Sequence, residues 1–189
     1  MAVVSLLVLM VLKNYIKNTS KTKSMASTNL KMLNKTSNNY LSDECYTPAE
    51  AIIPLLSEIS KDKVYYDCTS GISSNIVQCL VSNGYKCLSS KDRDFLLDPP
   101  PKDIDIIITN PPYSKKDKFI KRCYELKKPF ALLLPVSSLQ GINRGEMFAK
   151  NGIEILALNK RIDFTGKGNP HFGVAWFCHN VLKEKLIFK

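Results

Sequence analysis

The stretch Asp105-Ile106-Ile107-Ile108-Thr109-Asn110-Pro111-Pro112-Tyr113-Ser114 carries most of the information about the fold and the site. Its first five residues, with three isoleucines at their centre, have the pattern expected for a strand buried in a parallel sheet. The two prolines that follow fix φ and remove backbone donors, so the chain leaves the strand as a stiff, extended segment. We call residues 110–113 the ledge. Open α/β sheets bind ligands at the carboxyl ends of their strands, where the ledge would present an amide side chain and an aromatic ring.

Helix and strand patterns alternate on both sides of this stretch. A helix is predicted over 48–59, with Thr47 as its N-cap and Pro48 in its first turn. Further helices are predicted over 73–82, where Asn83-Gly84 would end the helix, and over 116–126 and 144–150. Strands are predicted over 63–67, 85–89, 104–109, 129–135, 153–158 and 174–178. This alternation favours a doubly wound α/β sheet that is mostly parallel, and its last two strands, joined by a loop, would be antiparallel.

Composition and charge narrow the class of protein. The chain has 189 residues and a net charge of +10, which suits a nucleic-acid substrate without requiring one. Residues 1–42 contain six lysines and no acidic residue, and we expect this extension to be mostly disordered and residues 43–189 to form one domain. The apolar run 1–12 is too short to span a bilayer. We expect an intracellular protein, cytoplasmic or nuclear, without stable membrane association; organelle targeting by the extension stays open.

The cysteines and histidines indicate no metal site. The six cysteines stand singly, with no Cys-x-x-Cys pair, and the two histidines, His171 and His179, do not complete a zinc pattern. We therefore expect free thiols in a reducing compartment.

The strand and the ledge resemble the Asn-Pro-Pro-Tyr motif of the S-adenosylmethionine-dependent amino-methyltransferases. The tail segments 161–164 and 172–177 are similar to those of small phage- and virus-like adenine-N6 methyltransferases. The resemblance implies the class I methyltransferase fold, a Rossmann-like α/β fold with a mostly parallel seven-stranded sheet, an antiparallel end strand and helices on both faces. It also implies four catalytic residues: Asn110, Pro111, Pro112 and Tyr113. The Asn110 side chain and the Pro111 carbonyl would accept the two amine hydrogens, and Tyr113 would stack on the base.

Three other segments resemble the cofactor-binding motifs of the same family. Residues 45–48 are similar to its motif X, residues 65–71 to its motif I, and residues 91–96 to the acidic turn that contacts ribose and adenine. Ser73 stands where the family usually has a second glycine. The resemblance implies that S-adenosylmethionine contacts Tyr46, Thr47, Pro48, Asp67, Cys68, Thr69, Ser70, Gly71, Asp92, Asp94 and Phe95.

The acidic residues in that set have separate roles by resemblance. Asp67 would lie near the cofactor's cationic amino group. Asp92 would bind the ribose hydroxyls and Asp94 the adenine amine, with Phe95 stacking or packing nearby. Glycine at position 71 would let the backbone approach the cofactor closely.

Basic residues follow the ledge and suggest where a polyanion would lie. The predicted helix 116–126 begins with several lysines, and Arg144 and Lys160-Arg161 are further candidates for phosphate contacts. The loop 165–171 would close over a base flipped out of its stack, or would be a plain hairpin connection.

Several functions therefore stay open at this point. Methylation of adenine N6 in DNA is the first hypothesis, and the same reaction on RNA is the second. Methylation of protein glutamine fits the same ledge, because it also presents an amide nitrogen to the cofactor. A catalytically silent methyltransferase-like subunit that binds nucleic acid or a partner is the fourth hypothesis. The oligomeric state is not predicted.

Overall fold

The computed structural model describes residues 47–69, 74–90, 93–166, 168, 170 and 172–189. The predicted extension 1–42 lies outside these residues, as do five of the predicted site and motif positions: Tyr46, Ser70, Gly71, Ser73 and Asp92. The helices of the described part are α1 (Ala49–Leu56), α2 (Asn75–Ser82), α3 (Lys116–Glu125) and α4 (Ile142–Asn151). Its strands are β1 (Val64–Asp67), β2 (Lys86–Ser89), β3 (Ile106–Thr109), β4 (Phe130–Pro135), β5 (Glu154–Ala157), β6 (Val174–His179) and β7 (Leu186–Phe188).

The seven strands form one sheet in the order β2-β1-β3-β4-β6-β5-β7. Strands β2, β1, β3 and β4 are mutually parallel. Strand β6 runs antiparallel to both of its neighbours, β4 and β5, and β7 runs parallel to β5. The predicted mostly parallel α/β sheet, with its last two predicted strands antiparallel, is confirmed.

The position of the antiparallel strand differs from the prediction of an end strand. Strand β6 lies inside the sheet, and β7, which the residue pattern did not predict, takes the edge. The buried carboxylate of Glu154 accepts hydrogen bonds from the backbone N–H groups of Asn180, Val181 and Leu182, which bends the chain back after β6. The chain then returns beside β5. Strand β7 has three residues, too few to show a strand period in the sequence.

Apolar side chains cover both faces of the sheet. Helices α1 and α2 pack on one face in a cluster that includes Tyr65 and Trp176. Helices α3 and α4 pack on the other face, in a cluster that includes Phe130 and Phe177. The indole Nε1 of Trp176 donates to the carbonyl of Ala51 at 2.7 Å and so holds α1 on the sheet. Helices lie on both faces as the sequence predicted. No helix in the described part of the chain is long and apolar enough to cross a bilayer.

The start of α1 corrects the predicted helix cap. Pro48 occupies the cap position, with φ −68° and ψ 148°, and no side chain caps the helix there. The prediction of Thr47 as N-cap is wrong, because its hydroxyl accepts a hydrogen bond from the Asn110 side chain. Helix α2 has a side-chain cap: the hydroxyl of Ser74 accepts from the backbone N–H groups of Ile76 and Val77.

Candidate active site

The ledge lies at the carboxyl edge of the parallel part of the sheet. Strand β3 is flanked by β1 and β4, with Tyr66 opposite Ile107 and Thr109 opposite Leu132. Asn110 follows β3 directly. Because β1 and β3 are parallel neighbours, Asn110 lies beside the turn that follows β1. Asn110, Pro112 and Tyr113 are half-buried and Pro111 is buried. This is the edge at which open α/β sheets form their binding crevices.

The two polar atoms of the Asn110 amide differ in their hydrogen bonding. Its Nδ2 donates to the hydroxyl of Thr47 at 3.1 Å. Its Oδ1 is shielded from solvent and has no hydrogen-bond partner among the described residues. A buried acceptor without a partner costs about 1–3 kcal/mol, and each such group in a native structure needs an explanation. The Asn110 Oδ1 is therefore a candidate acceptor for a ligand N–H.

Thr47 orients this amide from the other side of the site. Its side chain comes from the segment before α1 and is 5% exposed. Because the Thr47 hydroxyl accepts from Nδ2, the amide is turned so that its oxygen is the end left without a partner. The sequence predicted Thr47 as a cofactor contact, and this link to Asn110 was missed.

A buried carboxylate joins three segments of the site. Asp67 is 2% exposed and accepts hydrogen bonds from the hydroxyls of Ser74 at 2.5 Å and Thr109 at 2.6 Å, and from the backbone N–H of Thr69 at 3.3 Å. Burial raises the pKa of the Asp67 carboxyl above its ordinary value, and the hydrogen bonds from Ser74, Thr109 and Thr69 oppose that shift. Asp67 thus ties the end of β1 to the start of α2 and the end of β3.

Two threonine hydroxyls extend this network to the ledge. The Oγ1 atoms of Thr69 and Thr109 are 2.5 Å apart. Since a hydroxyl has one hydrogen and Thr109 gives its own to Asp67, Thr69 is the donor in this pair. The Thr69 hydroxyl also lies 3.4 Å from the backbone carbonyl oxygen of Asn110. The turn after β1 is therefore joined by a side-chain hydrogen bond to Thr109, the residue directly before the ledge.

The acidic turn after β2 is only partly described. The carboxylate of Asp94 accepts a hydrogen bond from the backbone N–H of Leu96 at 2.9 Å, and Asp94 is exposed to solvent. Phe95 is 3% exposed and stacks on Phe119 in the core, with ring centroids 5.3 Å apart. Of these two predicted cofactor contacts, Asp94 offers a polar group at the surface and Phe95 is a core side chain.

Cys68 is also buried. Desolvation raises the pKa of its thiol well above the ordinary value, so this thiol is not a nucleophile at neutral pH. At this position, contacts to a ligand would have to come from the backbone.

An aromatic contact braces the ledge. The rings of Tyr113 and Phe172 meet edge to face, with centroids 5.9 Å apart. Phe172 comes from the loop between β5 and β6, which the sequence had placed near the substrate. Within that loop, the carboxylate of Asp163 accepts from the backbone N–H of Thr165 at 2.9 Å and from its hydroxyl at 2.8 Å. These hydrogen bonds lower the pKa of Asp163. Lys167, Asn169 and His171 lie outside the described residues.

Of the basic residues considered for phosphate binding, two form ion pairs and two are exposed just after the ledge. Arg144 is 15% exposed in its side chain and pairs with Asp117 at 2.7 Å, and its role in binding phosphate stays a prediction. Lys160 pairs with Glu50 at 2.6 Å, in a pair open to solvent. Lys115 and Lys118 are exposed and follow the ledge by two and five residues.

The sequence reading missed Thr109 and Ser74 as parts of the site. A signal was present for Thr109: a hydroxyl at the end of a run of three isoleucines, in a strand buried throughout, needs an internal partner. The sequence placed Ser74 inside a predicted helix, and its double role as helix cap and partner of Asp67 depends on tertiary structure.

Comparison with known proteins supports the fold. No family model and no curated protein matches the sequence. The structure is similar to the methyltransferase subunit of a type I restriction-modification system from Streptococcus thermophilus, with a TM-score of 0.50 and 17% identity. That alignment covers 77% of this chain and 47% of the other, so this chain spans about half its length.

Two further likenesses are weaker. One is to a modification subunit assigned to a type I restriction enzyme of Vibrio vulnificus YJ016, with a TM-score of 0.45, 14% identity, and coverage of 84% of this chain and 49% of that one. The other is to a protein assigned as an O-methyltransferase from Agrobacterium tumefaciens, with a TM-score of 0.41, 13% identity, and coverage of 76% and 84%. The chain has the fold of the class I methyltransferases, as the sequence predicted.

Proposed function

We propose that this chain is an S-adenosylmethionine-dependent methyltransferase that acts on the N6 amine of adenine in DNA. The observation that carries the proposal is the Asn110 amide: Thr47 holds its nitrogen, and its buried oxygen has no partner among the described residues. An exocyclic amine brings the N–H group that this oxygen lacks. The exposed Lys115 and Lys118 beside the ledge favour a polyanionic substrate.

The ledge residues would activate the amine by holding both of its hydrogens. The lone pair of an adenine amine is delocalised into the ring, which makes the nitrogen a poor nucleophile. Hydrogen bonds from the two N–H groups to the Asn110 Oδ1 and the Pro111 carbonyl would favour a pyramidal nitrogen whose lone pair faces the crevice. Tyr113, braced by Phe172, would stack on the base.

The described residues fit the cofactor that this reaction needs. Thr47 and Thr69 offer hydroxyl groups beside Asn110, and Asp94 offers an exposed carboxylate after β2; such groups suit an amino-acid end and a ribose. The Asp67 carboxylate accepts from two side-chain hydroxyls and one backbone N–H, and would hold the turn in place without contacting the cofactor. When bound, S-adenosylmethionine supplies an electrophilic methyl group on a sulfonium. The Asn110 Oδ1 and the Pro111 carbonyl would hold the amine nitrogen toward that methyl group, and the nitrogen would lose one proton to solvent after the transfer.

The test of this proposal is transfer of a labelled methyl group. Purified protein is incubated with S-adenosylmethionine carrying a tritiated methyl group and with separate DNA, RNA and protein pools. We expect label in DNA, recovered as N6-methyldeoxyadenosine after nucleoside analysis. Label in RNA adenine or in glutamine would support the corresponding alternative. No transfer, together with no heat of cofactor binding by calorimetry, would support a silent subunit.

Thr47→Val tests whether the Thr47 hydroxyl orients Asn110. Valine keeps the shape of the side chain and removes the acceptor for Nδ2, so the amide can turn its nitrogen toward the substrate amine. We expect kcat to fall about 10–100-fold, which corresponds to about 1.4–2.7 kcal/mol of transition-state stabilisation. Steady-state kinetics with varied cofactor and varied DNA measures the change.

Thr47→Ser is the matched control, because serine keeps the hydroxyl and should restore most of kcat. A Thr47→Val variant whose only defect is a raised KM for S-adenosylmethionine would mean that Thr47 binds the cofactor and does not orient Asn110.

A further inference from the structure

The segment that follows β4 exposes three large apolar side chains. Within residues 136–142, which we call the protrusion, every residue except Ser138 is exposed. Val136 is 45% exposed, Leu139 44% and Ile142 84%. Single exposed apolar residues are normal on a protein surface, but three within seven residues of the chain are an unusual concentration that suggests a binding partner.

The protrusion is held in a defined shape by Arg144. The guanidinium Nε donates to the carbonyl of Ser138 at 2.9 Å, and another of its nitrogens donates to the carbonyl of Gln140. Gly141 has φ 147°, and a Cβ there would meet the Arg144 guanidinium at 2.6 Å. A side chain at position 141 would therefore displace the arginine that braces the segment. The backbone that carries the exposed apolar residues is therefore held in place by the Arg144 side chain.

The protrusion begins beside the ledge. The backbone N–H of Val136 donates to the carbonyl of Gly173 at 2.9 Å, and the adjacent Phe172 packs against Tyr113. On the other side, Arg144 reaches Asp117 in the first turn of α3, the helix that follows the ledge. Both links place the protrusion at the edge of the sheet where Asn110 lies.

The charges next to the protrusion suit nucleic acid. Lys115 and Lys118 are exposed around the start of α3, and the nearby carboxylate of Asp117 is paired with Arg144. An apolar surface flanked by exposed cations matches the face of an unstacked base flanked by phosphates.

We propose that the protrusion inserts Leu139 and Ile142 into duplex DNA next to the target adenine, and holds open the base step from which the adenine is flipped. This inference rests on the proposed function and adds to it that the substrate is base-paired. An amine buried in a duplex must leave the stack before it can reach the ledge. Apolar wedges such as leucine and isoleucine separate base steps in other DNA-binding proteins, while the cations beside them hold the backbone.

The experiment compares duplex DNA with single-stranded DNA of the same sequence. The substrate carries the site labelled by the wild-type protein, and kcat/KM is measured on both forms. We expect Leu139→Ser combined with Ile142→Ser to lower the ratio of duplex to single-strand activity by roughly tenfold or more, because a single strand needs no wedge. Val81→Ser combined with Leu186→Ser is the matched control, since both residues are exposed and lie on α2 and the edge strand β7. The control should leave the ratio unchanged.

Each outcome bears on the proposal. An unchanged ratio in the protrusion variant would overturn the wedge while leaving the proposed function intact. A wild-type protein that methylates neither form would overturn the proposed function, and the wedge with it. A control that lowers the ratio equally would show that loss of any exposed apolar pair has the effect, and would also overturn the wedge. Ile142→Ser alone, at the most exposed of the three positions, gives the same test if melting shows that the double variant is unfolded.

Discussion

Asn110→Ala is expected to slow methyl transfer by about 10²–10³-fold and to leave S-adenosylmethionine binding within about threefold of wild type. Alanine removes the Oδ1 acceptor that the substrate amine needs, and neither proline of the ledge carries a side-chain acceptor to replace it. Loss of one preorganised hydrogen bond to a reacting group typically costs about 10²–10³ in rate. Single-turnover transfer of a tritiated methyl group measures the chemical step, and calorimetry measures cofactor affinity.

Asn110→Asp is the informative partner of this variant. A carboxylate still accepts amine hydrogens, and the Thr47 hydroxyl can donate to it where it now accepts from Nδ2. We expect activity between that of wild type and Asn110→Ala. Undiminished turnover in Asn110→Ala would remove the catalytic role of the ledge, and a large loss of cofactor affinity would mean that Asn110 supports the cofactor site.

Those parts of the fold that depend on local pattern could be predicted from the sequence. The isoleucine run of β3, the apolar run of β4 and the Asn-Gly end of α2 each carry a signal within a few residues. These signals also predicted the position of the ledge, because a segment that directly follows a parallel strand lies at the edge formed by the carboxyl ends of the strands.

The parts of the site that depend on distant partners could not be predicted. The hydrogen bond from Thr109 to Asp67 joins residues 42 positions apart, and that from Asn110 to Thr47 spans 63 positions. Arg144 looked like a free cation in the sequence, but its partner Asp117 lies 27 positions away. Residue type indicates that a buried hydroxyl or a charge needs a partner, and tertiary structure decides which one.

Asp67→Ala is expected to weaken cofactor binding severely and to destabilise the chain. It leaves the hydroxyls of Ser74 and Thr109 and the backbone N–H of Thr69 without their acceptor in a buried site. At about 1–3 kcal/mol for each orphaned group, we expect a loss of about 3 kcal/mol or more in the free energy of unfolding. Thermal or urea unfolding measures the stability, and calorimetry with S-adenosylmethionine measures binding.

Asp67→Asn separates the geometry of this carboxylate from its charge. The asparagine oxygen can still accept one or two of the three hydrogen bonds, so we expect a smaller loss of stability than in Asp67→Ala. Cofactor affinity should follow stability, since the Asp67 carboxylate acts through the turn that it supports. Unchanged affinity in Asp67→Ala would mean that the cofactor pocket lies elsewhere.

The contribution of Asp67 to the free energy of unfolding should decrease as the pH rises. Burial raises the pKa of Asp67 in the folded chain above its unfolded value of about 3.9, so the folded state binds this proton more tightly. As the pH rises from about 4 through the folded pKa, the wild-type chain must give up that proton, and Asp67 contributes less to stability. The free energy of unfolding of wild type relative to Asp67→Asn should therefore fall as the pH rises through this window. A difference that grows with pH would show that the three hydrogen bonds outweigh burial and that the pKa of Asp67 is lowered on folding.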